Sequence, residues 1–596
     1  MKITKKSWIV ISAVFLIASV SITTLVYFSP YPPIKPKTIP MGDFGYTIDY
    51  ANYEIKKIMK QDKVPSIAIA LIDDQEVVWQ NAEGYANAEE KIEANMETYY
   101  RVGSISKVFT AIEIMRLVED GLLELDTPLI DIISNFSIQN RFNDNTSITI
   151  QHLLEHRSGL PRNGNLPTWY WDAGVDILKE IAESLKYSYA AYPVGYRFKY
   201  SNAGFDILGH VIELLREELY AFHMKTNLLE AIGMNDSTFL SQDIPSSGTL
   251  AVGHSLEKRN SVPVDQHDII SLPSGNLYST VSDMAEFAKF LFRGGMRNND
   301  QLIENSTLQS MYQIQSSTTR DPKRMGLGWF TGLLKQNEKV VYHSGGIQGT
   351  HSLFAFLPER KIGVVLIGNS FVFEQSINQF GWKLLELMLE TKEGITYSNP
   401  IYNKVSLTPA QLETFTGKYI IDFSSNNIYL KKDKLKVDAL GTTLNLIPMS
   451  NSKFKLDHWF VDPGNIDIEF FSGDDLIDKF AMINYFGADY DFLPSYPELT
   501  ELPPSWEKFL GTYEIYPRNE TSYADDGPYG TLELEFNDNM LKLGENYYLK
   551  PISDTEILVL SSPFAYETMK VDPLTGNIFW QHDIFKPIER GSQSST

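Results

Sequence analysis

The 596-residue chain has no cysteine. Disulfides, thiolate zinc sites, iron–sulfur clusters and lipid anchors on cysteine are therefore excluded. Basic residues are scarce beside acidic ones, 52 Lys and Arg against 75 Asp and Glu, a net charge of −23. That argues against nucleic-acid binding, which needs a basic footprint, and suits an exported protein kept soluble by self-repulsion. No Gly-x-Ser-x-Gly elbow occurs, so an α/β-hydrolase has nothing to anchor it. Stability must come from packed cores, and the length allows about three or four domains.

Charge is also missing from Trp8 to Phe28, a mostly apolar run long enough to span a bilayer as one helix. Lys2, Lys5 and Lys6 precede it and favour a cytoplasmic N-terminus. The expectation is a signal-anchor over residues 1–28, a single-pass protein and everything downstream outside the cytoplasm. A cleaved signal peptide, leaving a secreted protein, is the alternative. Residues 29–43 are Pro-rich and predict an extended spacer.

The richest stretch is Tyr99 to Thr110, where Ser104 and Lys107 stand three apart at the start of an apolar-periodic run. On a helix the two lie on one face, so the lysine amine can reach the serine hydroxyl. A lysine whose pKa is lowered can take the serine proton and make a nucleophile. The competing reading is a serine that caps its helix. Four further Ser-x-x-Lys matches, at Ser255, Ser450, Ser452 and Ser505, read as surface accidents. Around the stretch, residues 47–61 predict a helix, and Ser66–Ile72 with Glu76–Gln80 predict a β-hairpin turning at 73–75. A short helix at 149–156 ends on His156, read as bonding its own free carbonyls. Tyr200 and Asn202 precede an apolar helix. A helix over 283–292 is expected with Ser282 as N-cap. Three strands follow at 339–343, 351–357 and 362–367. Gly345-Gly346 suggests close backbone approach, and a last helix covers about 375–390.

Past Asn399 short alternating segments predict β structure. Phe415-Thr416-Gly417-Lys418-Tyr419 is echoed by Phe509-Leu510-Gly511-Thr512-Tyr513. A repeat of this size suits two small β-barrels or sandwiches, at 400–493 and 505–596, joined by the Pro-rich run 494–504.

Ser104-x-x-Lys107, Tyr200-x-Asn202 and His343-Ser344-Gly345 stand in this order within residues 44–395. With Leu153–Pro161 and Gly233-Met234, they resemble the serine β-lactamase and penicillin-recognising superfamily. The nearest branch holds class C β-lactamases, D,D-peptidases, D-aminopeptidases and esterases. The tail resembles lipocalin-like barrels appended to some relatives. The resemblance implies an α/β fold with an antiparallel sheet flanked by helices and an α-helical subdomain. It implies a Ser104 acyl-enzyme, with Lys107 and Tyr200 moving its proton and Asn202, His343 and Gly345 meeting substrate. The oxyanion hole would be the Ser104 and Gly346 N–H groups, and no metal or cofactor is needed. The expected substrate is a small peptide, amide, ester or lactam, including cell-wall peptide; self-association is also compatible. Motif three carries His343 where β-lactamases usually carry lysine, which weakens the case for lactams. A binding protein that captures penicillin or wall peptide with little turnover is the alternative.

Overall fold

The computed structural model describes residues 32–588, apart from 143–144, 167–175, 258–259, 265, 316–324, 335–336, 372–373, 396–403, 422–423, 440–441, 458–465, 473–478, 486–487, 497–498, 500, 518–529, 538, 545, 562–566 and 581–582. The expected anchor lies outside the described residues. Among the described residues no helix is long and apolar enough to cross a membrane.

The first domain places the site with these elements, in chain order: α1 (Gly45–Gln61), β1 (Ser66–Asp73), β2 (Glu76–Asn87), β3 (Ile92–Glu93), α2 (Ser106–Glu119), α3 (Asn202–Arg216), α4 (Val281–Phe292), β4 (Phe330–Leu333), β5 (Lys339–Ile347), β6 (Thr350–Leu357), β7 (Ile362–Gly368) and α5 (Glu374–Glu393). The seven strands form one antiparallel sheet in the order β4-β5-β6-β7-β1-β2-β3.

β1 and β7 are apolar at almost every position because both sheet faces are covered. Side chains alternate across a strand. Ile67, Ile69 and Leu71 of β1, with Val364 and Leu366 of β7, meet Ile55 of α1 and Phe380 and Leu384 of α5. Their neighbours Ala68, Ala70, Val365 and Ile367 face the opposite core, with Phe109 of α2 and Phe287 of α4. The Phe109 and Phe287 rings lie 4.4 Å apart. This second core also holds the helical subdomain, so α2, which follows Ser104, is fixed directly on the sheet.

Two expectations need correction. The N-cap of α4 is Thr280, whose Oγ1 accepts the Asp283 N–H at 3.1 Å, and Ser282 lies inside the helix. The Pro-rich segment is not a free spacer from Lys35 on. Lys35 Nζ pairs with Glu390 at 2.5 Å, Gly42 N–H donates to Thr391 O at 3.0 Å, and Ile39 is buried. The ion pair and the backbone hydrogen bond both fall on α5.

The tail forms two closed eight-stranded antiparallel barrels, one from Gly417 to Tyr496 and one from Gly511 to Pro587. The closing strand of the first, Ala488–Tyr496, takes in Pro494, assigned above to the linker. The repeat has a physical meaning. Tyr419 and Tyr513 donate their hydroxyls to the carbonyls of Phe415 and Phe509, at 3.1 and 2.6 Å. Between each pair lies a glycine, Gly417 or Gly511, at φ +145° or +146°, a conformation other residues rarely adopt. Both barrels pack on the first domain through a shared apolar cluster. It joins Ala191 and Tyr192 to Ile420 and Tyr496 of the first barrel and to Met540, Tyr548, Leu558 and Leu560 of the second.

Candidate active site

Ser104 sits on a single 3₁₀ turn, Gly103–Ile105, that runs into α2. It does not cap the helix. No side chain caps that turn, and Ser106 is the local brace: its Oγ donates to Gly103 O at 2.7 Å and accepts Leu277 N–H at 3.0 Å. The Ser104 hydroxyl instead lies 3.3 Å from Lys107 Nζ, and Tyr200 is close enough for Ser104 to lower the phenol's pKa.

Lys107 is fully buried, and burial holds its pKa well below the ordinary lysine value. Asp206 works against that shift and Arg162 adds to it. The amine also donates to Asn202 Oδ1 at 2.8 Å and Ser274 O at 2.6 Å. A neutral amine has two protons and one lone pair. Once deprotonated, the amine can keep both protons on Asn202 and Ser274, which leaves its lone pair for the Ser104 O–H. Asn202 is oriented for this, because its Nδ2 donates to Asn163 Oδ1 at 2.8 Å.

Tyr200 follows Lys199 and precedes the α3 N-cap, Ser201, whose Oγ accepts Gly204 N–H at 3.0 Å and donates to Pro161 O at 2.6 Å. Burial pushes the Tyr200 phenol up to about 12, with Arg162 and Ser104 pulling the other way. The phenol therefore holds its proton at neutral pH, available beside Ser104. His156 does not play the part expected of it. Its Nδ1 accepts Ser201 N–H at 3.1 Å, and its ring packs 4.4 Å from that of Tyr200. It is a prop for motif two.

β5 forms the opposite wall. A Cβ on Gly345 would lie 1.9 Å from Val102 O, and one on Gly103 (φ +56°) would lie 2.9 Å from Gly346 N. The close approach read from the glycine pair is therefore present, between β5 and the Ser104 turn. Ser352 on β6 fastens the contact by donating to Val102 O at 2.8 Å. His343 is 1% exposed. Its Nδ1–H donates to Ser344 O at 2.6 Å, which leaves Nε2 as a bare acceptor, buried and without a hydrogen-bond partner among the described residues. Burial first, then the nearby Lys107, pushes the imidazole down to about 3, so it is neutral at physiological pH.

All seven residues singled out in the sequence thus converge: Ser104, Lys107, Tyr200, Asn202, His343, Gly345 and Gly346. Four others were missed. Asp206 is fully buried, with its pKa pushed up to about 7 by desolvation and restrained by Ser274, Ser271 and Lys107. It stands four residues after Asn202, on the same helical face, and an acid on the apolar face of α3 was a readable signal. Asn163 and Arg162 belong to a loop with no periodicity, and Ser274 acts through its carbonyl.

Residues 52–381 match the family described as Beta-lactamase. The chain belongs to that family. Among curated relatives, "Beta-lactamase-like protein 2" of Dictyostelium discoideum is 28% identical over 410 residues, covering 67% of this chain and 72% of that protein. "Protein flp" of Staphylococcus aureus (strain MW2) is 24% identical over 320 residues. That match spans 53% of this chain and only 61% of the relative's length. Of solved structures, the octameric penicillin-binding protein homologue from Pyrococcus abyssi aligns over 76% of this chain and all of its own. Its TM-score is 0.52 and its identity 25%. SurE aligns over the same shares with TM-score 0.51 and 20% identity, a likeness of fold. The serine-hydrolase fold of the Beta-lactamase family therefore carries this site.

Proposed function

We propose that the chain is a serine hydrolase working through an acyl ester on Ser104, with a peptide, amide or ester as substrate. The observation that carries this reading is the buried Lys107, 3.3 Å from the Ser104 hydroxyl with both other contacts acting as acceptors. In acylation, Lys107 Nζ takes the Ser104 proton while Oγ attacks the substrate carbonyl carbon. The N–H groups of Ser104 and Gly346 receive the oxyanion. Tyr200 delivers a proton to the leaving amine or alkoxide as the carbonyl–heteroatom bond breaks, and the proton on Lys107 replaces it. In deacylation the same pair takes a proton from water, which attacks the ester and returns Ser104 to its hydroxyl form.

The neutral His343 supports a choice among substrates. With a neutral, buried imidazole here instead of a cation, the wall offers no charge to balance a substrate carboxylate. Amides and esters that need no cation for a carboxylate therefore fit better than β-lactams. Residues 8–28 would hold the enzyme at the outer face of the membrane.

The test is a panel of esters, D-amino-acid amides and β-lactams on the purified protein beside Ser104→Ala. Turnover of amides or esters that Ser104→Ala abolishes is the expected result. Stable acylation by penicillin without turnover of any substrate would make the chain a binding protein instead.

A further inference from the structure

The second barrel sends one acidic side chain into the catalytic domain. Glu567 lies 405 residues from Arg162 in sequence and is 3% exposed. Its Oε1 accepts the Arg162 backbone N–H at 2.8 Å and pairs with Lys199 Nζ at 3.3 Å, and its Oε2 accepts Trp580 Nε1–H at 3.1 Å. Trp580 belongs to the same barrel, on the strand Ile578–Trp580. The carboxylate is thus held by its own barrel and grips two separate segments of the catalytic domain.

Those segments are the ones that frame motif two. Lys199 immediately precedes Tyr200, and its N–H donates to the carbonyl of His156, the prop of the Tyr200 ring, at 2.7 Å. The carbonyl of Arg162 accepts Asn202 N–H at 2.6 Å and Ala203 N–H at 3.2 Å. The Arg162 guanidinium carbon lies 5.1 Å from the centre of the Tyr200 ring. Burying a carboxylate is costly unless it is paired and hydrogen-bonded. Here the pairing partners are the backbone and side chain on either side of the proton-carrying tyrosine and the lysine-orienting asparagine.

We propose that Glu567 is a positioning residue for Tyr200 and Asn202, so that the second barrel is part of the catalytic apparatus. The proposal rests on the serine-hydrolase reading above. A displacement of about 1 Å in a reacting group can cost about a hundredfold in rate. Loss of the clamp should therefore fall on kcat rather than KM.

The experiment uses the full chain with the best ester or amide from the panel, and counts competent sites by titrating Ser104 to completion with an irreversible serine probe. Glu567→Gln keeps the shape and one acceptor; Glu567→Ala removes both. The expected result is a kcat per titrated serine lowered about tenfold in Glu567→Gln and about a hundredfold in Glu567→Ala, with KM within about twofold of wild type. If Glu567→Ala does not fold, Glu567→Gln alone decides. An unchanged kcat per titrated serine in every variant that folds overturns the proposal, whatever happens to Tm or to the number of titratable sites. Retention of turnover in Ser104→Ala would instead overturn the serine reading, so the two failures are distinguishable.

Discussion

The two flanks of Ser104 are built on different principles. The helical flank is dense in ionisable side chains: Lys107, Asp206, Tyr200 and Arg162 perturb one another within a buried network. The strand flank offers backbone at van der Waals limits, at Gly345 and Gly346, and the neutral imidazole of His343. Proton transfer needs groups whose pKa values are tuned by neighbours. Holding a developing oxyanion needs fixed dipoles that need not reorganise. The division suggests where each kind of damage will show.

The largest effect should come from the helical flank. Lys107→Met preserves most of the buried volume and removes the amine. We expect turnover to fall by about 10²–10⁴, the range typical of a lost general base, with the Tm little changed. On the strand flank, Gly345→Ala would place a Cβ 1.9 Å from Val102 O, so the turn and strand must separate. A loss of about 10²–10³ in kcat, the scale of one oxyanion donor, is expected together with a lower Tm. A Gly345→Ala enzyme of normal activity would break the comparison.

Subtler changes should move the pH profile and sharpen it. Asp206 raises the Lys107 pKa and Arg162 lowers it. In Asp206→Asn, Lys107 loses its proton more easily, and the acid limb of kcat/KM shifts to lower pH. In Arg162→Gln the limb shifts to higher pH. Equal shifts of the same sign would contradict the assignment of that limb to Lys107.

The smallest effect near neutrality belongs to His343. Its pKa falls from the usual 6.5 to about 3 in the folded chain, so the unfolded chain binds more protons between those values. Its contribution to stability is complete above pH 6.5 and is lost as pH falls towards 3, by about 1.4 kcal/mol per unit. His343→Gln should flatten that slope in urea unfolding while leaving stability at pH 8 close to wild type.

The sequence exposed what rests on local pattern. The apolar runs at 66–72 and 362–367 announced strands, and only the packing showed that both faces of their sheet are covered. The Phe-x-Gly-x-Tyr repeat announced two similar β domains. Ser104-x-x-Lys107 became informative only through its order with Tyr200 and His343. What stayed hidden depends on contacts between distant segments. Glu567 has no spacing relation to Arg162, Ser352 reaches the Ser104 turn across two strands, and Ser274 contributes a carbonyl that any residue could supply. His156 was misread because the helix ends at Leu154, and His156, at φ +56°, turns its ring away to Ser201 and Tyr200. Asp206 alone among the missed residues carried a periodic signal.

The central claim is that Ser104 becomes esterified. Intact-mass measurement after mixing the full chain with an activated ester tests it most directly. The account predicts one acyl group per chain, mapped to the peptide containing Ser104, and none on Ser104→Ala. Equal labelling of the two proteins, or an acyl group mapped elsewhere, would contradict it.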